Sequence, residues 1–115
     1  MAEKRQYVGR YTLARPDMLA TGPTPRENAI IATHAARLQR LTEAGTVALV
    51  GRTMTTTPDW WAIAIFCAES DEAARALIAE DPCIAQGVMQ AELFPFQVLT
   101  LKPESADPRR VFARA

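Results

Sequence analysis

The sequence predicts an α+β domain in which one antiparallel sheet carries two helices on one of its faces. Apolar runs and alternating patterns predict four strands, and two segments with a helical spacing of apolar residues lie between them. Capping and turn residues separate these segments in the order β-α-β-β-α-β. The chain of 115 residues suits one domain, and its hydrophobic fraction of 49% is ordinary for a folded protein.

Strong local signals bound the first strand and the long helix. Residues 6–13 alternate and contain tyrosine and valine, which favours a strand, whereas the proline and glycine residues of segment 15–23 predict a loop. Thr24 and Glu27 have the spacing of a capping box at a helix start. Gly45 suits the left-handed position that ends a helix, so we expect the helix to stop there.

The following segments complete the pattern. Residues 46–52 and 60–68 predict the second and third strands, and the second of these segments is the most apolar in the chain. Ser70 can cap a helix over residues 71–80, whose first turn is acidic. Residues 81–87 predict a turn or one short helical turn.

The last predicted strand covers residues 89–101. Pro95 lies within it and indicates a bulge or a kink at an unpaired edge, because proline cannot donate to a neighbouring strand. The complete order is that of the ferredoxin-like split unit. We therefore expect a single domain over residues 1–102, followed by a C-terminal arm or tail over residues 103–115.

Both faces of the predicted sheet carry large apolar side chains. In the third strand, Trp61, Ile63 and Ile65 point one way, while Trp60 and Phe66 point the other. Two helices cover only one face, and leaving the other in water forgoes on the order of 10 kcal/mol. This loss is comparable with the whole stability of a small domain. We therefore predict a homodimer whose two sheets pack face to face.

The composition limits the kinds of binding partner and the cell compartment that we expect for this protein. Lys plus Arg and Asp plus Glu both total 13, so the charge balance indicates neither nucleic acid nor an anionic membrane as a partner. No signal peptide or membrane-spanning run is evident. The two cysteines, Cys67 and Cys83, suit a reduced, cytoplasmic protein in which both are buried. Because metal-binding and phosphate-binding motifs are missing from the sequence, we expect no metal and no cofactor.

The only histidine of the chain, His34, is the leading candidate for chemistry. It stands with Ile30, Leu38 and Leu41 at helical spacing, on the predicted buried face. Imidazole changes charge near neutral pH, and beside the carboxylate of Asp81 in a pocket it could move protons. Two alternatives stay open: a core histidine bonded to a carbonyl oxygen, and an aspartate that only caps the turn beginning at the next residue, a proline.

Two segments resemble the YciI-like family, namely residues 34–52 (HAARLQRLTEAGTVALVGR) and 81–98 (DPCIAQGVMQAELFPFQV). The shared pattern is a helical histidine followed by Leu-x-x-Leu and glycine, then a strand ending in glycine, then Asp-Pro with a later glycine. The family is similar in fold to the dimeric α+β barrels, which include muconolactone isomerases and small monooxygenases. This resemblance implies that His34 and Asp81 form a catalytic pair in a pocket.

Three further side chains are predicted to bind substrate: Arg10 and Tyr11 on the first strand, and Arg52 at the end of the second. An arginine that lines a pocket can hold a carboxylate with two hydrogen bonds. The alternative is that these residues lie at strand ends in solvent.

The predicted function is that of a cofactor-independent acid–base enzyme, a lyase or isomerase, acting on a small organic molecule of anionic or aromatic-derived type. Its catalytic residues are His34 and Asp81. The alternative is a non-catalytic dimer that binds a small molecule or a protein. A haem or flavin monooxygenase is a third alternative that the superfamily permits, although the sequence shows no cofactor motif.

Overall fold

A computed structural model describes residues 4–102, which contain one four-stranded sheet. Its strands are β1 (Arg5–Leu13), β2 (Val47–Arg52), β3 (Ala62–Ala68) and β4 (Met89–Pro95). Their order across the sheet is β2-β3-β1-β4, and all three neighbouring pairs are antiparallel. This order confirms the predicted ferredoxin-like α+β fold.

The helices pack on one face of this sheet. They are α1 (Met18–Thr21), α2 (Pro25–Glu43), α3 (Asp71–Ala79) and α4 (Pro82–Ala85). One apolar cluster between helices and sheet joins Met18 to Tyr11 and Trp60, and a second joins Ile78 to Tyr7; the partly buried Ile84 and Ala91 pack against both.

The ends of α2 follow the predicted local signals. The Thr24 side chain accepts a hydrogen bond from the Glu27 backbone N–H, and the Glu27 side chain accepts one from the Thr24 backbone N–H. Pro25 occupies the first helical position, where no N–H is needed. Gly45 has φ of 85°, a left-handed conformation that glycine adopts without steric cost.

The face opposite the helices carries an apolar row. Leu49, Ile65, Val8 and Phe94 are successive partners across the four strands, so their side chains share this face. Leu49 and Phe94 are each 45% exposed. The prediction that both faces are apolar therefore matches the side-chain distribution in residues 4–102.

Three predicted boundaries were wrong. The last strand ends at Pro95 rather than at residue 101. The Phe96 backbone N–H still donates to the Gln6 carbonyl oxygen, but the Val98 backbone N–H donates to the Gln6 side chain instead of the backbone of a neighbouring strand. The third strand begins at Ala62 rather than at residue 60, since the Trp60 backbone N–H donates to Thr57 within a turn. The predicted loop before α2 contains the single-turn helix α1.

Other predictions fall outside the described part of the chain. The C-terminal arm, residues 103–115, lies beyond it, so the proposed domain limit at residue 102 stays a prediction.

Within residues 4–102, none of the helices combines the length and apolarity that a bilayer crossing requires.

Candidate functional site

The structure brings His34 and Asp81 into direct contact. His34 Nδ1 lies 2.7 Å from Asp81 Oδ1 and 2.8 Å from Oδ2. Asp81 is completely buried, whereas the His34 side chain keeps 13% of its exposure. Carboxylate oxygens accept hydrogen bonds, so this contact forms when Nδ1 carries the proton and donates it to Asp81. Nε2 is then the nitrogen that can exchange a proton with a ligand.

Asp81 reaches His34 from the joint between α3 and α4. Its backbone N–H donates to Ile78 in the last turn of α3, at 3.0 Å. Its Oδ1 accepts the Cys83 backbone N–H at 2.8 Å, as the N-cap of α4. The capping alternative and the contact with His34 are therefore both realised by one carboxylate.

Arg37 is a third member of this group that the sequence reasoning missed. Its Nη1 lies 3.8 Å from Asp81 Oδ2, and its Nη2 donates to the Leu77 carbonyl oxygen at 2.9 Å. Nη2 also lies 3.8 Å from Glu80 Oε2, on the solvent side. The available signal was its position, three residues after His34 and hence on the same side of a helix.

Tyr11 lines the wall opposite the helix. Its ring stands edge-on to the imidazole, with the centroids 6.2 Å apart and the planes at 67°. Burial, followed by the nearby Asp81 charge, raises the pKa of Tyr11 to about 12. The hydroxyl therefore keeps its proton at neutral pH and can donate it in a hydrogen bond to a ligand.

Cys83 lies beside His34 and Asp81, but its thiol is a poor nucleophile at neutral pH. Burial and the Asp81 charge raise the pKa of its thiol to about 12, so it remains a thiol at neutral pH. Ligand atoms of Cys83, His34 and Asp81 all lie within 4.8 Å of one another. A protonated thiol and the cationic Arg37 guanidinium beside Asp81 make this donor set unfavourable for a divalent cation. Cys67, expected to be buried, is partly exposed.

The imidazole opens onto a cavity of about 700 Å³ between α2 and the sheet. Most of its wall is apolar, formed by side chains such as Trp60, Ile31 and Met89. His34 and Arg52 are among the few polar side chains that line it. Cavities of this size and character commonly hold a small organic ligand.

An ion pair holds the segment that closes one side of the cavity. The Arg15 guanidinium donates to both carboxylate oxygens of Glu27 and to the Gly22 carbonyl oxygen. These contacts fix the ends of the segment that contains Met18 and Leu19, both of which line the cavity. The hydrogen bonds from Arg15, followed by that from Thr24, lower the pKa of Glu27 to about 2.

The two predicted substrate arginines have different positions. Arg52 pairs with Ala62 on the helix-covered face and lines the cavity. Arg10 pairs with Ile63 and Glu92 on the opposite face, binds Glu92 at 3.1 Å and stacks over Trp61. Arg10 is therefore separated from this cavity, because adjacent residues of one strand, here Arg10 and Tyr11, point to opposite faces.

Residues 8–97 match the YCII-related domain. The chain belongs to the YCII-related domain family. This match covers every residue that lines the cavity and confirms the resemblance to the YciI-like family.

One solved structure has a fold similar to that of this YCII-related domain. That relative is a candidate antibiotic biosynthesis monooxygenase from Bacteroides thetaiotaomicron, with a TM-score of 0.50 and 17% sequence identity over 89% of this chain and 97% of its own. At this identity the likeness concerns the fold. No curated protein matches the chain.

Proposed function

We propose that this YCII-related domain is an acid–base enzyme of lyase or isomerase type that acts on a small, mainly apolar organic molecule with an anionic group. One observation carries the proposal: an imidazole bound through Nδ1 to a buried carboxylate lines a largely apolar cavity. A titratable pair in such a cavity is a typical setting for proton transfer.

Asp81 and His34 have different roles in the proposed proton transfer. Asp81 holds the imidazole in the tautomer whose Nε2 is unprotonated, and it stabilises the imidazolium that forms when Nε2 takes a proton. Because Asp81 is itself fixed by the Cys83 backbone N–H, the pair is oriented before a substrate arrives.

The proposed reaction begins with removal of a proton from a carbon next to a carbonyl group. The C–H electron pair forms a carbon–carbon double bond while the carbonyl π pair moves to oxygen, which gives an enolate, and His34 Nε2 receives the proton. Tyr11 would donate a hydrogen bond to the enolate oxygen. In the isomerisation of an unsaturated substrate the enolate is conjugated, and the imidazolium returns the proton to its far carbon. In an elimination the enolate electrons form the α,β double bond as the bond from the β carbon to the departing group breaks, and the imidazolium protonates that group.

The substrate class follows from the cavity wall. Trp60 and the aliphatic side chains around it favour a substrate with an aromatic or aliphatic part. Binding removes this apolar part from water, which is favourable. Arg52 offers a guanidinium for a carboxylate or another anionic group. The monooxygenase activity named for the structural relative is not part of this proposal, since the relative is similar in fold alone.

Hydrogen–deuterium exchange tests the proton-transfer step without a known natural substrate. Aryl-substituted 2-oxo acids, such as phenylpyruvate, and unsaturated lactones are incubated with the protein in D₂O, and loss of the C–H signal is followed by NMR. We expect catalysed exchange of at least one compound by the native protein and by the Thr33→Gln control, which changes an exposed residue of α2. His34→Gln should lower the rate at least 100-fold.

Two outcomes would contradict the proposal. Exchange that is unchanged by His34→Gln would remove the imidazole from the mechanism. Binding of these compounds near Trp60, detected by fluorescence, without exchange above that of His34→Gln would favour the alternative of a non-catalytic binding module.

The open face of the sheet supports a homodimer as part of this proposal. Leu49, Phe94 and Trp61 keep 45%, 45% and 38% of their exposure, and Phe96 keeps 42%. Covering the exposed halves of four such side chains is worth about 1 kcal/mol each, or about 4 kcal/mol per chain. A second copy supplies a matching apolar row by symmetry.

A further inference from the structure

The buried carboxylate of Asp81 lies between two groups that can carry positive charge. His34 contacts it at 2.7 Å, and the Arg37 guanidinium approaches its other oxygen to 3.8 Å. Asp81 has no exposed surface, and the Arg37 side chain keeps only 15% of its own. Charges in such surroundings interact more strongly than charges in water.

These two cations differ in one respect that matters for proton transfer. An imidazole can lose its proton near neutral pH, whereas a guanidinium keeps its charge at every pH at which a protein is folded. If His34 were the only partner, its deprotonation would leave a buried carboxylate without a compensating charge, which is strongly unfavourable. The imidazole would then hold its proton too tightly to act as a base.

We propose that Arg37 is a positioning residue that balances the charge of the buried Asp81 carboxylate when His34 releases its proton, so that the imidazole can both accept and release a proton. This inference rests on the proposed acid–base function. It assigns Arg37 a role through Asp81, without contact with the substrate.

The other groups around the imidazole support this assignment. Tyr11, on β1, and Cys83, on α4, are uncharged at neutral pH because burial raises the pKa of each to about 12. Arg52, on β2, lines the cavity and is exposed. Glu80, after α3, lies beside Arg37, and its side chain is 72% exposed, so water screens its charge.

A titration of the single histidine tests the inference. Because His34 is the only histidine of the chain, its imidazole resonances can be followed by NMR against pH without ambiguity. Arg37→Gln removes the charge but keeps an amide donor for the Leu77 carbonyl oxygen. Arg37→Lys keeps the charge. Arg40→Gln removes a charge one turn later on α2, from an exposed position, and serves as the matched control.

In Arg37→Gln we expect His34 to bind its proton about tenfold more tightly, so the midpoint of its titration rises by about one pH unit. Arg37→Lys should move it by less than half of that, and Arg40→Gln should leave it unchanged. A merely structural role for Arg37 predicts equal shifts in the Gln and Lys variants. Equal midpoints in Arg37→Gln and Arg40→Gln would overturn the inference.

A double variant keeps the test valid if Arg37→Gln fails to fold. In Asp81→Asn the carboxylate charge is absent, so adding Arg37→Gln should leave the protein folded and move the His34 midpoint by much less than in the native background. A double variant that fails to fold, or that shows the full shift, would count against action through Asp81.

The titration and the exchange assay separate the two proposals. A shifted midpoint in a protein that catalyses no exchange would retain the charge coupling and contradict the enzymatic function. An unshifted midpoint, together with exchange that depends on His34, would contradict only the role of Arg37.

Discussion

Replacement of Asp81 by alanine should destabilise the fold far more than the loss of a helix cap. The substitution removes the acceptor for the Cys83 backbone N–H at 2.8 Å and for His34 Nδ1 at 2.7 Å. It also leaves Arg37, which is largely buried, without the carboxylate at 3.8 Å. The Cys83 backbone N–H and His34 Nδ1 lose a hydrogen-bond acceptor, and Arg37 loses a nearby carboxylate, at a site with little exposed surface.

The expected magnitude comes from these three contacts. Loss of an N-cap costs about 1 kcal/mol, and loss of the partner of buried, hydrogen-bonded charges adds about 3 kcal/mol. We therefore expect Asp81→Ala to lower the free energy of unfolding by about 4 kcal/mol. Asp81→Asn should lower it by about half as much, because asparagine can still cap α4 and accept from Nδ1.

The matched control is Ser70→Ala. Ser70 caps α3 by accepting the Ala73 backbone N–H at 3.1 Å, at an exposed site without a charge partner. This variant isolates the cost of a cap, which we expect to be about 1 kcal/mol.

Urea unfolding followed by far-ultraviolet circular dichroism measures all three variants. The native chain and the variants are compared at one protein concentration and at pH 7, because any dimerisation makes stability depend on concentration. With a slope of about 1.5 kcal/mol per molar urea, the midpoint of Asp81→Ala should fall by about 2.7 M. A fall no larger than that of Ser70→Ala would refute the view that Asp81 balances buried positive charge.

Two further predictions concern the sheet face and the ion pair beside the cavity. Phe94→Glu should convert the proposed dimer to a monomer in sedimentation velocity, whereas Met54→Glu, at an exposed position within a loop, should not; an unchanged dimer in Phe94→Glu contradicts packing through this face. The pKa of Glu27, lowered from 4.5 to about 2, implies stability that is present above pH 4.5 and lost as the pH falls towards 2. Glu27→Gln should therefore reduce the melting temperature most above pH 4.5, and a difference from the native chain that stays constant down to pH 2 would contradict this linkage.

The elements with strong local signals could be predicted from the sequence. The capping box of Thr24 and Glu27 and the terminal Gly45 fixed both ends of α2, because these interactions involve residues within a few positions of one another. The end of β4 at Pro95 was missed because the apolar residues beyond it continue the strand pattern, whereas the Val98 backbone N–H bonds to the Gln6 side chain, a contact that the pattern does not reveal.

The candidate site was only partly predictable. Arg10 and Tyr11 were assigned to one pocket, yet strand geometry alone requires neighbours to face opposite sides, so the sequence already held the information to separate them. Arg37 was missed for a different reason: its partner Asp81 is 44 positions away by number, and the contact exists only because α2 packs against α4. Helical spacing places Arg37 near His34 but does not identify the carboxylate they share.

The dual role of Asp81 explains why capping and chemistry need not compete at this position. The Cys83 backbone N–H fixes the Asp81 side chain through Oδ1, so both carboxylate oxygens have defined positions. His34 Nδ1 contacts both oxygens, and Arg37 Nη1 approaches Oδ2. The helix start thus orients a buried carboxylate without further ordering of side chains, and such prior orientation is what a proton-transfer site requires. The aspartate before proline, which by itself predicts only a helix cap, therefore also supports the assignment of Asp81 to the candidate site.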